Sequence, residues 1–188
     1  MKKILLVDAS PRKGGNSDVV VETLAQDLQG CEVTVFKIRE KDCRQCLACD
    51  ACQHKDTQSC VQNDDITALL PLIDTCDAIV LATPIYNQQI TSRAKLFIER
   101  FYPFFRAGDP MMSNSSKRDK KAALVCSFWG SPKDVTTRYA EWTVQNFAQI
   151  GASQTRTLIF NGIPERGQIL ERPDYLDELH ALANWLAK

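Results

Sequence analysis

A short apolar run near the start of the chain stops abruptly at a loop rich in hydrogen-bond donors. Residues 4–7 read Ile-Leu-Leu-Val, which is typical of a strand covered on both faces of a sheet. Residues 10–16 then supply hydroxyl, guanidinium, ammonium and unhindered backbone N–H groups, just before an amphipathic helix. Because a helix N-terminus carries partial positive charge and free N–H groups, we predict an anion site there, with a phosphate group as its occupant.

The composition of this loop excludes two common nucleotide-binding patterns. It lacks the Gly-x-x-x-x-Gly-Lys-Ser/Thr motif of a nucleoside triphosphate loop, and it lacks the three spaced glycines of the dinucleotide fingerprint. A monophosphate is therefore the better match. A polar strand-to-helix turn without any ligand is the alternative that the loop alone leaves open.

Strand-like apolar runs alternate with helical patterns along the rest of the chain. Further strands are predicted within residues 33–38, 78–82, 122–126 and 155–160. Asn16 or Ser17 is the expected N-cap of the first helix, and Ser131 and Pro132 are the expected N-cap and first residue of the fourth. This alternation predicts an α/β fold, a doubly wound five-stranded parallel sheet with helices on both faces. A length of 188 residues fits one domain over residues 1–188, with a polar, cysteine-rich insert at about 41–62.

Charge and hydropathy limit the classes of partner. Lys plus Arg and Asp plus Glu both total 23, so no net field favours nucleic acid or an anionic membrane. No apolar run approaches membrane-spanning length, and the start of the chain has too few apolar residues for a secretory signal, so we expect a cytoplasmic protein. In a reducing compartment, eight cysteines favour metal or redox chemistry over a disulfide framework.

Three segments together resemble a known family. They read ASPRKGGNS at 9–17, TPIYNQQI at 83–90 and KLFIER at 95–100. In content and order they are similar to the flavodoxin-like NAD(P)H-dependent FMN reductases, and the iron-sulfur flavoprotein branch is the nearest match. The similarity covers most of the first 100 residues and weakens beyond them. Ala9 replaces a glycine common in the family, and Glu99 replaces its usual aspartate.

The resemblance implies where FMN binds. Its phosphate is expected at Ser10, Arg12, Asn16 and Ser17, its ribityl chain and isoalloxazine ring at Pro84, Ile85, Tyr86 and Asn87, and a third wall at residues 127–130, with Ser127 and Gly130 as contacts. The chemistry agrees, because a dianion suits the donors of the first loop and the ring suits an apolar wall with a few polar groups. A core or dimer-interface aromatic is the alternative interpretation of Tyr86.

Five cysteines are concentrated in the polar insert. Cys43, Cys46, Cys49 and Cys52 recur at every third residue, and Cys60 follows after seven intervening residues. The run resembles the Cys-x-x-Cys-x-x-Cys arrangement by which bacterial ferredoxins hold a 4Fe-4S cluster. Zinc is a competing metal, although its usual sites use two Cys pairs separated by a longer loop. A loop of free thiols is the third interpretation.

The iron-sulfur flavoprotein pattern implies which cysteines are ligands. In that pattern a short gap precedes the last ligand and an acidic pair follows it, here residues 64–65. The matching set is Cys46, Cys49, Cys52 and Cys60, and the second choice replaces Cys52 with Cys43.

These features predict an FMN-binding oxidoreductase. It is expected to take hydride from NADH or NADPH, or electrons from a protein donor, and to pass electrons to a small-molecule or protein acceptor. Hydride transfer to a flavin depends chiefly on orientation, so no catalytic side chain is predicted. A redox-sensing or metal-binding interaction module on the same scaffold is the alternative function. The family resemblance and the aromatic-rich segment 97–105 suggest a homodimer, whereas internal packing is the other explanation of that segment.

Overall fold

The computed structural model describes residues 1–54, 59–130 and 132–188. Within these ranges the strands are β1 (Lys3–Asp8), β2 (Glu32–Lys37), β3 (Ala78–Tyr86), β4 (Gln89–Ile90), β5 (Lys120–Phe128) and β6 (Ala152–Asn161). The α-helices are α1 (Asn16–Asp27), α2 (Asp65–Thr75), α3 (Ser92–Glu99), α4 (Lys133–Val144) and α5 (Pro173–Ala187). None of the helices in the described ranges has the length and apolarity needed to cross a membrane.

The strands form one sheet in the order β2-β1-β3-β5-β6, with all of these neighbours parallel. Strand order reverses between β1 and β3, as it does in flavodoxin-like folds. The predicted doubly wound parallel sheet is therefore confirmed. The sheet has one strand more than the five predicted. This additional strand, β4, pairs only with the end of β3, in antiparallel orientation. Asn87 and Gln88 connect the two with positive φ angles of 49° and 65°, as a two-residue hairpin turn requires.

Both faces of the sheet are covered by helices, and this explains why the strands read as continuous apolar runs. Leu5 and Val7 of β1 belong to a core shared with α2, α3 and α4. Ile4 and Leu6, which alternate with them, belong to a second core shared with α1 and α5. Because successive side chains of a strand point to opposite faces, one four-residue run serves both cores.

The N-caps of two helices differ from the predicted ones. The N-cap of α1 is Gly15 rather than Asn16 or Ser17, and the Asn16 side chain bonds elsewhere. Pro132 is the N-cap of α4 instead of its first residue. The expected contribution of Ser131 lies outside the described residues.

The aromatic-rich segment 97–105 packs largely inside the molecule. Phe97, Phe101 and Phe104 are fully buried. The rings of Phe97 and Phe101, and those of Phe101 and Phe147, meet edge to face at 5.3 Å between centroids. Internal packing therefore accounts for these three rings, whereas Tyr102 and Phe105 are half-buried and stack on each other with 5.7 Å between centroids.

Candidate functional site

The loops at the carboxyl ends of four strands converge on one cleft of about 310 Å³ at the switch in strand order. Predicted flavin-site residues that line the cleft are Ser10, Arg12, Asn16, Ser17, Pro84, Ile85, Tyr86 and Ser127. Asn87 and Gly130 do not line it; Asn87 lies in the exposed turn before β4 and Gly130 follows β5 with a φ of 86°. The cleft thus unites the three loops that the sequence singled out.

The first loop is shaped by carboxylates on either side of it. Asp8, the last residue of β1, accepts the backbone N–H of Ser10 at 2.8 Å, and Asp18 in α1 accepts that of Gly14 at 2.7 Å. The Ser10 hydroxyl oxygen accepts the backbone N–H of Arg12 at 3.1 Å. The first N–H groups of α1 have no partner within the helix, so they remain available to an anion in the cleft.

Two cations neutralise these carboxylates beneath the loop. Arg39 pairs with both Asp8 and Asp18, and Lys37 lies 2.8 Å from Asp18. Burial raises the pKa of Asp8 to about 6, against the opposing effect of hydrogen bonds from Ser10 and Arg39. Burial alone would also raise the pKa of Asp18, but hydrogen bonds from Lys37 and Arg39 outweigh it and hold that pKa at about 2. This network of ion pairs holds the two carboxylates that bind the backbone of the loop. The sequence analysis did not predict it.

A fourth loop, residues 162–166 after β6, completes the cleft and was not predicted from sequence. The Asn16 amide group holds it. Asn16 Nδ2 donates to the carbonyl oxygens of Ile163 (3.2 Å) and Glu165 (2.9 Å), and its Oδ1 accepts the backbone N–H of Ile169 (3.2 Å). Both amide hydrogens are therefore used inside the protein, and the role that the structure supports for this side chain is to position the fourth loop.

We expect Asn16→Ala to destabilise the fold, because three hydrogen bonds between α1 and the chain after β6 are lost. Each such bond contributes roughly 0.5–1.5 kcal/mol, so a loss of about 1.5–4.5 kcal/mol in the free energy of unfolding is expected in a urea titration. Asn16→Asp is the matched control, since it keeps the acceptor for Ile169 and loses only the two donors. An unchanged urea midpoint for Asn16→Ala would contradict the assigned role.

The second and third walls of the cleft are apolar with polar edges. Ile85 is buried and Tyr86 is 39% exposed, so Tyr86 is not a core aromatic. Ser127 and Phe128 are buried at the end of β5, whereas Trp129 is 70% exposed. An aromatic ring system could lie between these walls while one edge stays open to solvent.

A second, smaller cavity of about 20 Å³ lies in the cysteine-rich insert. Cys46, Cys49, Cys52 and Cys60 all line it, together with Arg100 from the end of α3 and several apolar side chains. Within residues 1–54, 59–130 and 132–188, no three His, Cys, Asp or Glu side chains converge closely enough to bind a metal ion. The cysteines thus share one cavity without forming a single-ion site.

Cys43 is set apart from these four cysteines. It does not line the cavity and packs half-buried against the core. Burial, followed by the carboxylates of Asp64, Asp65 and Asp42, raises the pKa of the Cys43 thiol to about 11. Burial also raises the pKa of the Cys52 thiol, so position, and not thiol pKa, separates Cys43 from the four cysteines of the cavity. Outside the insert, Cys76 and Cys126 are buried and Cys31 is half-buried.

The acidic pair after the last cysteine anchors the insert. Asp64 caps α2 by accepting the backbone N–H of Thr67 at 2.9 Å, and its other oxygen accepts that of Arg44 at 3.0 Å. Asp65 accepts the backbone N–H of Asp42 at 2.8 Å. The two carboxylates therefore bring the beginning of the insert against the helix that follows it.

This fold and cleft define a protein of the flavodoxin-like class. Residues 2–157 match the NADPH-dependent FMN reductase family, and the chain belongs to that family. It is 36% identical over 97 residues to an iron-sulfur flavoprotein of Archaeoglobus fulgidus, an alignment that covers 50% of this chain and 43% of that protein. The predicted family is thereby confirmed, and relatives of the branch predicted as the nearest are among the matches. The chain spans about half the length of the curated relatives it matches.

Solved structures support the fold. The Trp repressor binding protein of Bacillus subtilis superposes with a TM-score of 0.67 at 23% identity, covering 95% of this chain and 98% of that one. An FMN-dependent NADH-azoreductase of Bacillus anthracis, solved in complex with FMN, gives a TM-score of 0.70 at 12% identity, with all of both chains covered. At these identities the likeness extends to the fold alone.

Proposed function

We propose that this chain binds FMN in the cleft and acts as an NAD(P)H-dependent flavin oxidoreductase. The observation that carries this proposal is the convergence of a donor-rich loop and an aromatic-edged apolar wall in one cleft of about 310 Å³. That volume lies at the lower end of the range usual for small-molecule sites. Membership of the NADPH-dependent FMN reductase family supports the same assignment.

The residues of the cleft fit the two chemical halves of FMN. The phosphate takes the backbone N–H groups at the start of α1, the Ser10 hydroxyl and the Arg12 guanidinium, which is exposed and lines the cleft. The flavin ring takes the apolar walls around Ile85 and Phe128. When bound, FMN supplies a two-electron acceptor for hydride, so the protein's part is to orient the ring and leave one of its faces accessible to the nicotinamide.

Arg12→Ala is expected to weaken FMN binding roughly 10- to 100-fold, because it removes a charge-assisted donor to the phosphate. Isothermal titration with FMN and with riboflavin, which lacks the phosphate, measures this contribution. Lys13→Ala is the matched control, since it removes the same charge from the next residue, which does not line the cleft. Equal losses in the two variants, or an equal loss for riboflavin, would contradict a phosphate site at this loop.

We extend the proposal to a 4Fe-4S centre held by Cys46, Cys49, Cys52 and Cys60. These four cysteines share one cavity, and Cys43 does not line it. Four thiolates are the donor set that a 4Fe-4S cluster takes from a protein, and the Cys-x-x-Cys-x-x-Cys spacing of Cys46, Cys49 and Cys52 is typical of such a centre. Such a centre would exchange single electrons, complementing the two-electron chemistry of the flavin.

Residues 1–188 act in this proposal as one domain, with 41–62 as an insert that carries the centre. Both cores share the single sheet, in keeping with that organisation. A homodimer is the proposed assembly. Trp129 is 70% exposed at the rim of the cleft, and Trp142 on α4 is also exposed, so a second copy has large apolar side chains to cover.

A further inference from the structure

Arg100 is a buried cation beside the cavity of the four cysteines. Its side chain is 2% exposed, and the residue lines the cavity together with Cys46, Cys49, Cys52 and Cys60. A guanidinium has five N–H donors, and a buried donor without an acceptor is costly. The partners of those five donors therefore indicate what the cavity is built to receive.

The two terminal nitrogens of Arg100 are fully used within the protein. Nη1 donates to Asp64 Oδ2 at 2.6 Å and to the carbonyl oxygen of Arg44 at 2.7 Å. Nη2 donates to Thr67 Oγ1 at 2.7 Å and to Asp64 Oδ1 at 3.0 Å. Because Asp64 is itself fixed as the cap of α2, these bonds lock the orientation of the guanidinium plane.

The fifth donor has no partner. Arg100 Nε is buried, and no acceptor among the described residues meets it in standard hydrogen-bond geometry. The Cys60 thiol is nevertheless close to the guanidinium, because its charge and its side-chain hydrogen bonding both raise the pKa of Arg100. A locked, buried N–H thus remains unpaired on a residue that lines a cavity shared with four sulfur ligands.

We infer that Arg100 Nε donates a hydrogen bond to a sulfur of the centre held at these four cysteines, on the Cys60 side, and thereby raises the electron affinity of that centre. This inference rests on the proposed 4Fe-4S function. A thiolate-ligated cluster is anionic and becomes more so on reduction, so a donor to its sulfur stabilises the reduced form more than the oxidised form. Because Asp64 already balances the charge of Arg100, the electron affinity of the centre is raised mainly by the hydrogen bond and less by the net charge.

Arg100→Lys tests this inference, because lysine keeps the charge and loses the planar Nε donor. The full-length wild type and variant are reconstituted anaerobically with ferrous iron and sulfide, and the midpoint potential is measured by an EPR-monitored redox titration. We expect the variant to have about a tenfold smaller equilibrium constant for one-electron reduction, or a midpoint about 59 mV lower. Arg44→Lys is the control expected to keep the wild-type potential, since the Arg44 side chain pairs with Asp42 and does not line the cavity.

A measurement on the wild type covers the case in which Arg100→Lys fails to fold. With ¹⁵N-arginine incorporated, pulsed EPR of the reduced centre is expected to show a ¹⁵N hyperfine coupling, and its absence would overturn the inference. A wild-type potential in a folded, iron-replete Arg100→Lys protein would overturn it as well. A wild type that takes up no iron and sulfide would instead overturn the proposed centre itself, and the inference with it, so the two failures are distinguishable.

Discussion

Cys60→Ala is expected to lose most of the iron and sulfide that the anaerobically reconstituted protein binds, whereas Cys43→Ala is expected to retain both. Cys60 lines the cavity shared with Cys46, Cys49 and Cys52, and a cluster deprived of one of four thiolates is held by three. Cys43 does not line that cavity. Iron and sulfide analysis with the visible absorption spectrum measures the difference.

The two cysteines make a well-matched pair of substitutions. Both are half-buried and both pack against the same core, so their replacement by alanine should cost similar stability. A difference in bound iron therefore reports ligation instead of folding. Equal iron loss from both variants would favour the ligand set that includes Cys43. A wild type that is colourless and binds zinc, with no flavin, would support the interaction-module alternative.

The parts of the site that were predictable from sequence are those encoded locally. The anion loop depends on residues 10–17, which follow one apolar run and precede one helix. Backbone geometry acts over a few residues, so composition and spacing were sufficient to place this loop between a strand and a helix, although the N-cap itself is Gly15.

The missed features depend on partners that are distant in sequence. The Asn16 amide reaches a loop 147 residues away, and Arg39 joins Asp8 across 31 residues. Arg100 meets Asp64 across 36 residues. Arg100 belongs to the KLFIER segment, yet nothing in that segment indicates that its arginine lies beside the cysteines. Only tertiary packing brings these groups together, so the pattern of the sequence could not assign their roles.

The unpredicted strand β4 has a related explanation. It is two residues long, and the turn before it uses Asn87 and Gln88. Gln is not a residue that favours positive φ, so the usual hairpin signals are weak here. The backbone N–H of Thr91 donates to the Thr83 hydroxyl oxygen in β3 at 3.3 Å, and the Thr91 hydroxyl donates to the carbonyl oxygen of Ala9 at 2.9 Å. That bond joins the second wall of the cleft to the anion loop.

Gly151→Ala is expected to destabilise the fold strongly while leaving the chemistry of the cleft intact in the protein that still folds. Gly151 follows the 3₁₀ turn Gln145–Ile150 and has a φ of 86°. An added Cβ would lie 2.0 Å from the carbonyl oxygen of Lys117 and 3.2 Å from the Cα of Arg118. Both atoms belong to the backbone that leads into β5, so no side-chain rotation relieves the clash.

We expect Gly151→Ala to lower the free energy of unfolding by about 3–5 kcal/mol, a size reserved for severe steric or buried-polar defects. Gly108→Ala is the matched control, because Gly108 has a φ of 83° but nothing within 4 Å of the added Cβ. Gly108→Ala is expected to lower the free energy of unfolding by about 1–2 kcal/mol, which is the cost of a left-handed backbone conformation for alanine. Urea titrations of both variants separate the two contributions. Similar losses of stability in the two variants would contradict this prediction. They would mean that the backbone at Lys117 and Arg118 moves away from the added Cβ at little cost.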